Sequence, residues 1–390
     1  MFVRNLQLDQ LEKYADSQLI KVISGVHRSG KTVLLQQLKD RLRRQGVSND
    51  QFQFIRFGQQ LASGADLWNT IESRLVAGKP NYLLLDEFDY LPEIIPLLQR
   101  LLKDGRANVF ITAASRSFLK RLAPLEERCV TIPVLPLGFA EFCQYRNLPA
   151  SSHSLYQYLN RGGFPFAQEV HGSLELANYL DGVVNTAIVS GFSQPGTLCN
   201  PFLTKQLAIF LAGQVGSPVN VSQAVTGLKR AGIPASNKTL ATYLGFLQDV
   251  FLFYPCHELN PATNKVKPTN VKYYPVDLSL RNFWTNQKGV LSQTNLEALL
   301  FIELVRRGYR VYAGKHCTFI AERDSERSYI QFVYSLRNQR AYDRAAAGLA
   351  ALPDSAKRSL IVMQAPEMFE VNPAIRPLAL LDWLCQPEQS

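Results

Sequence analysis

Residues 19–44 read LIKVISGVHRSGKTVLLQQLKDRLRR. The opening LIKVIS is apolar, partly β-branched and too short for a helix, so it predicts a buried parallel strand. The segment TVLLQQLKDRLRR has helical spacing and predicts a helix with Val33, Leu34, Leu38 and Leu42 on one face. Between them, GVHRSGKT places Gly25, Gly30, Lys31 and Thr32 at every fixed position of G-x-x-x-x-G-K-[ST]. Strand, glycine loop and helix are the context this pattern needs. Glycines let the backbone wrap closely, so the N–H groups of residues 25–32, including Val26, His27, Arg28 and Ser29, can point at phosphate oxygens. The start of the following helix adds partial positive charge. Lys31 is placed to reach β- and γ-phosphate oxygens, and the Thr32 hydroxyl to ligate Mg²⁺.

A second segment strengthens the first. NYLLLDEFD (81–89) is a buried strand that ends in two carboxylates, the form of a Walker B segment. Asp86 is expected to hold Mg²⁺, and Glu87 to polarise a water toward the γ-phosphate. Asp89 reads as an ordinary polar loop residue. FQFIRF (52–57), ANVFITA (107–113) and CVTIPV (129–134) are further strands with helical patterns between them. With 20–24 and 81–86 they predict an α/β domain, a parallel sheet covered by helices on both faces, with an extra strand between the loop strand and the acid strand. At the end of VFITAAS, Thr112 and Ser115 are candidate sensors of the γ-phosphate. The other reading is a strand that simply ends in small residues.

The bulk properties fit a globular chain of two or three domains: 390 residues, 46% hydrophobic and 19% charged. Net charge is +10, and residues 1–150 hold 20 basic and 15 acidic residues of the 42 and 32 in the whole chain. The excess is evenly spread, which allows a nucleic-acid partner without requiring one. The six cysteines form no Cys-x-x-Cys pair and the five histidines do not cluster with them, so structural zinc is not expected. Reduced thiols and the lack of a signal-peptide core predict a cytoplasmic protein. No apolar run reaches membrane-spanning length.

With these residues in place, the sequence resembles the prokaryotic AAA+ type ATPases that carry a C-terminal domain of unknown function. In the front part the resemblance rests on KVISGVHRSGKTVLLQQL, YLLLDEFD, VFITAAS and LEERCVTIPVLPLGFAEF. In the rear part it rests on LNRGGFP, YYPVDLSLR, NLEALLFIELVRRGYRVYAGK, YIQFVYSL and LLDWL. It implies ATP with Mg²⁺ as the ligand pair. It places Arg128 where family members have an arginine before the last strand of the ATPase domain, with Glu127 replacing the usual glycine. Such an arginine reaches a γ-phosphate in its own subunit or in a neighbour of a homo-oligomer. The alternative is a surface arginine beside Glu126 and Glu127. The family's sensor strand carries an asparagine where this chain has Ser115.

The expected division is an ATPase domain over 1–148, a helical region with a winged helix over 149–265, and a nuclease-like α/β domain over 266–390. In the middle region a helix, SPVNVSQAVTGLKRAGI and SNKTLATYLGFLQDVFLFYPCHEL read as a winged helix-turn-helix, with Ser222 and Ser236 as candidate N-caps. A DNA partner would be met by Asn237, Lys238 and Thr242, though one lysine is little charge for phosphate contact, and a protein-docking role is the alternative. For the last region the resemblance implies a fold like that of restriction endonucleases, which need several acids and a lysine to hold Mg²⁺. Glu297 supplies the helix acid. The strand position of the metal-binding Asp is Thr318, within His316–Phe319, and the next strand offers Gln331, Phe332 and Val333. Glu322 lies beyond the metal position. Nuclease activity is therefore not expected. The leading reading is an Mg²⁺-dependent ATPase whose cycle moves the rear half or a bound partner. The alternatives are a low-turnover nucleotide switch and an ATP-regulated DNA-binding protein.

Overall fold

The structure, a computed structural model, describes residues 2–57, 64–192, 200–364 and 370–386. It divides into two compact units. Unit 1 comprises 1–136 with 182–198 and 249–251, and unit 2 comprises the rest.

Unit 1 begins with α1 (Asn5–Lys13), β1 (Ile20–Ser24), α2 (Lys31–Arg44), β2 (Phe52–Arg56) and α3 (Gly64–Glu72). It continues with β3 (Asn81–Asp86), α4 (Ile94–Asp104), β4 (Ala107–Ala113), α5 (Arg116–Arg121) and β5 (Cys129–Pro133). The five strands are parallel in the order β2-β3-β4-β1-β5. β4 therefore lies between the loop strand β1 and the acid strand β3, as expected.

The apolar runs in these strands follow from helices on both faces. Leu83, Leu85, Val109 and Ile111 point to a core shared with Trp68, Ile71, Leu97, Leu98, Leu101 and Phe118 of α3, α4 and α5. Tyr82, Leu84 and Phe110 point the other way, to Leu8 and Leu11 of α1 and to α2. In α2 the buried stripe is Leu34, Leu35, Leu38 and Leu42, while Val33 is 38% exposed. The stripe is centred one position later than the spacing suggested: Leu35 takes the place given to Val33. Each buried leucine contributes about 1.5–3 kcal/mol.

Unit 2 contains α6 (Phe139–Arg146), α7 (Ser152–Arg161), the first part of α8 (Ser173–Phe192), and α9 (Pro201–Gly213). Next come β6 (Pro218–Val219), α10 (Val221–Arg230), α11 (Asn237–Asp249), β7 (Phe253–Asn260) and β8 (Lys265–Pro275). Then follow α12 (Leu278–Thr285), α13 (Gln293–Arg306), β9 (Arg310–Ala313), β10 (Phe319–Arg323) and β11 (Glu326–Val333). α14 (Gln339–Ala350), β12 (Lys357–Val362), β13 (Pro377–Ala379) and α15 (Leu380–Cys385) complete it. Among the described residues its sheet has eight strands in the order β13-β12-β11-β10-β9-β7-β8-β6. Residue 265 is the first residue of β8, so the expected division at 265/266 falls within the β7–β8 hairpin.

Asn220, not Ser222, caps α10: its side chain accepts from the Gln223 N–H at 2.8 Å. The helix starts two residues earlier than a Ser222 cap would need, and Asn at the cap site forms a capping box with Gln223. Ser236 does cap α11, accepting from Thr239 at 3.1 Å. Glu297 accepts from Lys272 at 2.9 Å and from the Tyr274 hydroxyl at 2.6 Å. Thr318 accepts from the Phe332 N–H at 2.9 Å. Among the described residues, no helix is long and apolar enough to cross a membrane.

Candidate nucleotide site

The loop after β1 is shaped by close backbone approach. A Cβ on Gly25 would stand 2.1 Å from the Val134 carbonyl oxygen. Gly30, the cap of α2, has φ 104°, a conformation that L side chains rarely adopt. Arg28 also lies in the left-handed region, at φ 65°. Arg4 braces the loop from α1's cap position, donating to Leu135 O at 2.8 Å and Ser29 O at 3.4 Å.

Inside the loop three polar side chains are buried. The Lys31 ammonium donates to Gly25 O at 2.7 Å and Val26 O at 2.9 Å. An ammonium has three donors, so one is left for a ligand oxygen. Burial lowers the Lys31 pKa to about 8, opposed by the nearby charges of Asp89, Asp86 and Glu87. Ser29 is fully buried, and its hydroxyl has no hydrogen-bond partner among the described residues. His27 is pushed down to about 3, first by burial and then by the charges of Lys31 and Arg28, so it is neutral at ordinary pH.

β3 delivers Asp86 to the C-terminal edge of the sheet, where it is 1% exposed and accepts from three side chains. Thr32 Oγ1 lies 2.9 Å from Oδ2 and 3.2 Å from Oδ1. Thr112 Oγ1 donates to Oδ1 at 2.9 Å. Arg56 donates from Nε at 3.1 Å and from Nη2 at 2.9 Å, both to Oδ2. A carboxylate beside a hydroxyl suits a hard cation that takes oxygen ligands, and the orphaned Ser29 hydroxyl and the spare Lys31 donor suit a phosphate. The residues present therefore fit Mg²⁺ and a nucleotide triphosphate.

Glu87 stands next to this cluster with a half-exposed side chain. Its backbone is left-handed at φ 62°, ψ 35°, a costly conformation for a residue with a Cβ. Its N–H donates to Thr112 Oγ1 at 2.9 Å, which pins the turn. Thr112 is thus committed to Asp86 and to the Glu87 backbone. Ser115 caps α5, accepting from the Phe118 N–H at 3.1 Å.

Asp89 is not an ordinary loop residue. It is 1% exposed, and its Oδ2 accepts from the Ala114 N–H at 2.6 Å, tying the end of β4 to the turn after β3. Its Oδ1 has no hydrogen-bond partner among the described residues, and burial raises its pKa to about 6. Arg128 ends the short 3₁₀ turn before β5 and is exposed, outside the cluster around Asp86. Arg4, Arg56 and Asp89 escape a local reading of the sequence. The repeated acid in DEFD was the one available signal for Asp89.

Residues 17–143, which carry the glycine loop between a buried strand and a helix and the carboxylate bonded to the loop threonine, match the family model described as an AAA domain. Residues 152–290 match a domain of unknown function, DUF8612. An "uncharacterized protein" of Haemophilus influenzae is 31% identical over 402 residues, covering 99% of both chains, and this chain belongs to its family. The protein MJ1544 of Methanocaldococcus jannaschii is 27% identical over 74% of this chain and 67% of its own. Among solved structures, a Walker-type ATPase of Pyrococcus abyssi is 13% identical, with a TM-score of 0.46 over 73% of this chain and 96% of that one.

Proposed function

We propose that this protein is an Mg²⁺-dependent ATPase that couples its nucleotide state to the rear half of the chain or to a bound partner. The observation that carries this is the bond from Thr32 to Asp86 beside the buried Lys31 ammonium. In this reading Gly25–Thr32 cradle the phosphates and Lys31 neutralises the β and γ oxygens. Thr32 and Asp86 are the residues that would hold Mg²⁺, which when bound neutralises phosphate charge as the γ-phosphoryl leaves. Glu87 is the base that orients and deprotonates the attacking water, and the proton passes to its carboxylate. Thr112 holds Asp86 and the Glu87 backbone in register, a bracing role in place of direct sensing. Arg128, exposed at the start of β5, is available to a nucleotide held by a neighbouring copy. ATP turnover that falls about 10²-fold or more in Lys31→Ala and Glu87→Gln is the expected result. Parental rates in both variants would remove the assignment.

A low-turnover switch is the second reading, favoured by the engagement of Asp86 by Arg56 and Thr112. Tight ATP binding without measurable hydrolysis selects it. We also read the series α9–β6–α10–α11–β7–β8 as a winged helix, supported by the pairing of β6 and β7 with β8. Asn237, Lys238 and Thr242 are exposed on α11 and would be its DNA-facing residues. A gel shift with duplex and single-stranded DNA across a salt series tests this. Absence of binding with and without ATP removes the DNA-regulated alternative. For α13 and the strands after it, we read a nuclease-like fold without nuclease chemistry, supported by the engagement of Glu297 with Lys272 and Tyr274.

A further inference from the structure

Arg56 stands where nothing in the phosphate-loop pattern requires a cation. It is the last residue of β2, and the parallel register sets it directly beside Asp86 at the end of β3. Its guanidinium makes two bonds to Asp86 Oδ2, at 2.9 and 3.1 Å, and Nη2 lies 3.4 Å from Thr32 Oγ1. Its Nε lies 3.8 Å from the Glu87 carboxylate. One cation therefore spans the hydroxyl and the carboxylate that would hold the metal, and it reaches toward the base. The side chain is 41% exposed, whereas Asp86 is 1% exposed. The arginine can leave toward solvent. The carboxylate cannot follow it.

We propose that Arg56 is a built-in competitor for Mg²⁺: its guanidinium neutralises Asp86 in the nucleotide-free protein and must be displaced when the metal–nucleotide pair enters. This rests on the nucleotide reading of the site and adds a regulatory residue to it. The physical argument is charge balance. A buried carboxylate without a partner is costly, so the empty site needs a cation. Guanidinium and Mg²⁺ cannot both occupy the same carboxylate oxygen, and each repels the other. Occupancy of the metal position thus becomes an exchange of cations, and part of the metal's affinity is spent on releasing Arg56. Charge-assisted bonds of this geometry set the competition at about tenfold, reduced from more by the exposure of the side chain.

The test is calorimetric titration with a slowly hydrolysed ATP analogue across a series of Mg²⁺ concentrations, in wild type, Arg56→Gln and Arg56→Lys. The expected result is half-maximal nucleotide binding at about tenfold less Mg²⁺ in Arg56→Gln, with Arg56→Lys between the two. The nucleotide-free Arg56→Gln protein should melt earlier than wild type and recover its melting temperature with Mg²⁺ and the analogue. In wild type, with no substitution, the Arg56 Nε–H resonance should be protected from exchange in the free protein and lose that protection when Mg²⁺ and the analogue bind. Nucleotide binding with an unchanged or higher Mg²⁺ requirement in Arg56→Gln, or a resonance that stays protected, overturns the competitor role while leaving the site intact. Failure of wild type to bind the analogue at any Mg²⁺ concentration removes the nucleotide site, and this proposal with it.

Discussion

Replacing Thr112 with valine removes one hydroxyl and nothing else of similar size. That hydroxyl donates to Asp86 at 2.9 Å and accepts from the Glu87 N–H at 2.9 Å. Loss of a hydrogen bond to a charged group costs about 1.5–3 kcal/mol, and an unpaired N–H adds about 1–3 kcal/mol where water cannot reach it. Asp86 keeps Thr32 and Arg56, and Glu87 is half exposed, so the sum belongs near the lower end, about 2–3 kcal/mol. The loss falls on a strained turn, because Glu87 holds a left-handed backbone that this bond helps to fix. Hydrogen exchange of the β3 and β4 amides reads the stability of unit 1 separately from unit 2. Thr112→Val should lower that stability by about 2–3 kcal/mol and reduce kcat more than nucleotide affinity, because the bond positions the base rather than the phosphates. Thr112→Ser should restore both. A valine variant within about 0.5 kcal/mol of wild type and with parental kcat would refute the bracing role.

The remaining expectations concern charge and space. Lys31 titrates near pH 8 in the free protein because burial disfavours its charge, while phosphate favours it. Nucleotide binding at about pH 9 should therefore take up a proton that binding at about pH 6.5 does not, read by calorimetry in buffers of different ionisation enthalpy. Asp89 has its pKa raised to about 6 from 3.8, so the folded protein holds its proton to a higher pH than the unfolded chain does. Its contribution is fully present below about pH 4 and is lost as pH rises through 6, about 3 kcal/mol at most. Asp89→Asn should gain stability relative to wild type between pH 4 and 7 by up to that amount, measured by urea titration at each pH; a difference that does not change with pH contradicts this. Gly25→Ala places a methyl group 2.1 Å from a backbone oxygen and should abolish nucleotide binding. Gly213→Ala meets nothing within 4 Å and should be neutral or stabilising in a thermal melt.

Much of unit 1 was legible because its signals are local. A buried strand, a glycine loop and an amphipathic helix occupy consecutive residues, and the second strand carries its acids at its end. What escaped depends on pairing between distant segments. Arg56 gains its place only from the register of β2 on β3, and Arg4 only from the packing of the first helix under the loop. Asp89 looked polar and exposed because a loop acid usually is, but the Ala114 amide draws it inward. The place of Thr112 at a strand end makes it a candidate sensor or a plain small residue, and neither reading shows its hydroxyl bonded to Asp86 and the Glu87 backbone. In unit 2 the choice between two nearby cap formers, Asn220 against Ser222, lies below what spacing resolves.

The central claim is that the amides of residues 25–32 and the Lys31 ammonium capture a triphosphate. Calorimetry of the full chain with ATP and Mg²⁺ tests it most directly. Saturable association in wild type, lost in a folded Lys31→Ala variant, is the predicted result. No heat of association with folded wild type at millimolar ligand, or equal affinity in Lys31→Ala, would contradict it.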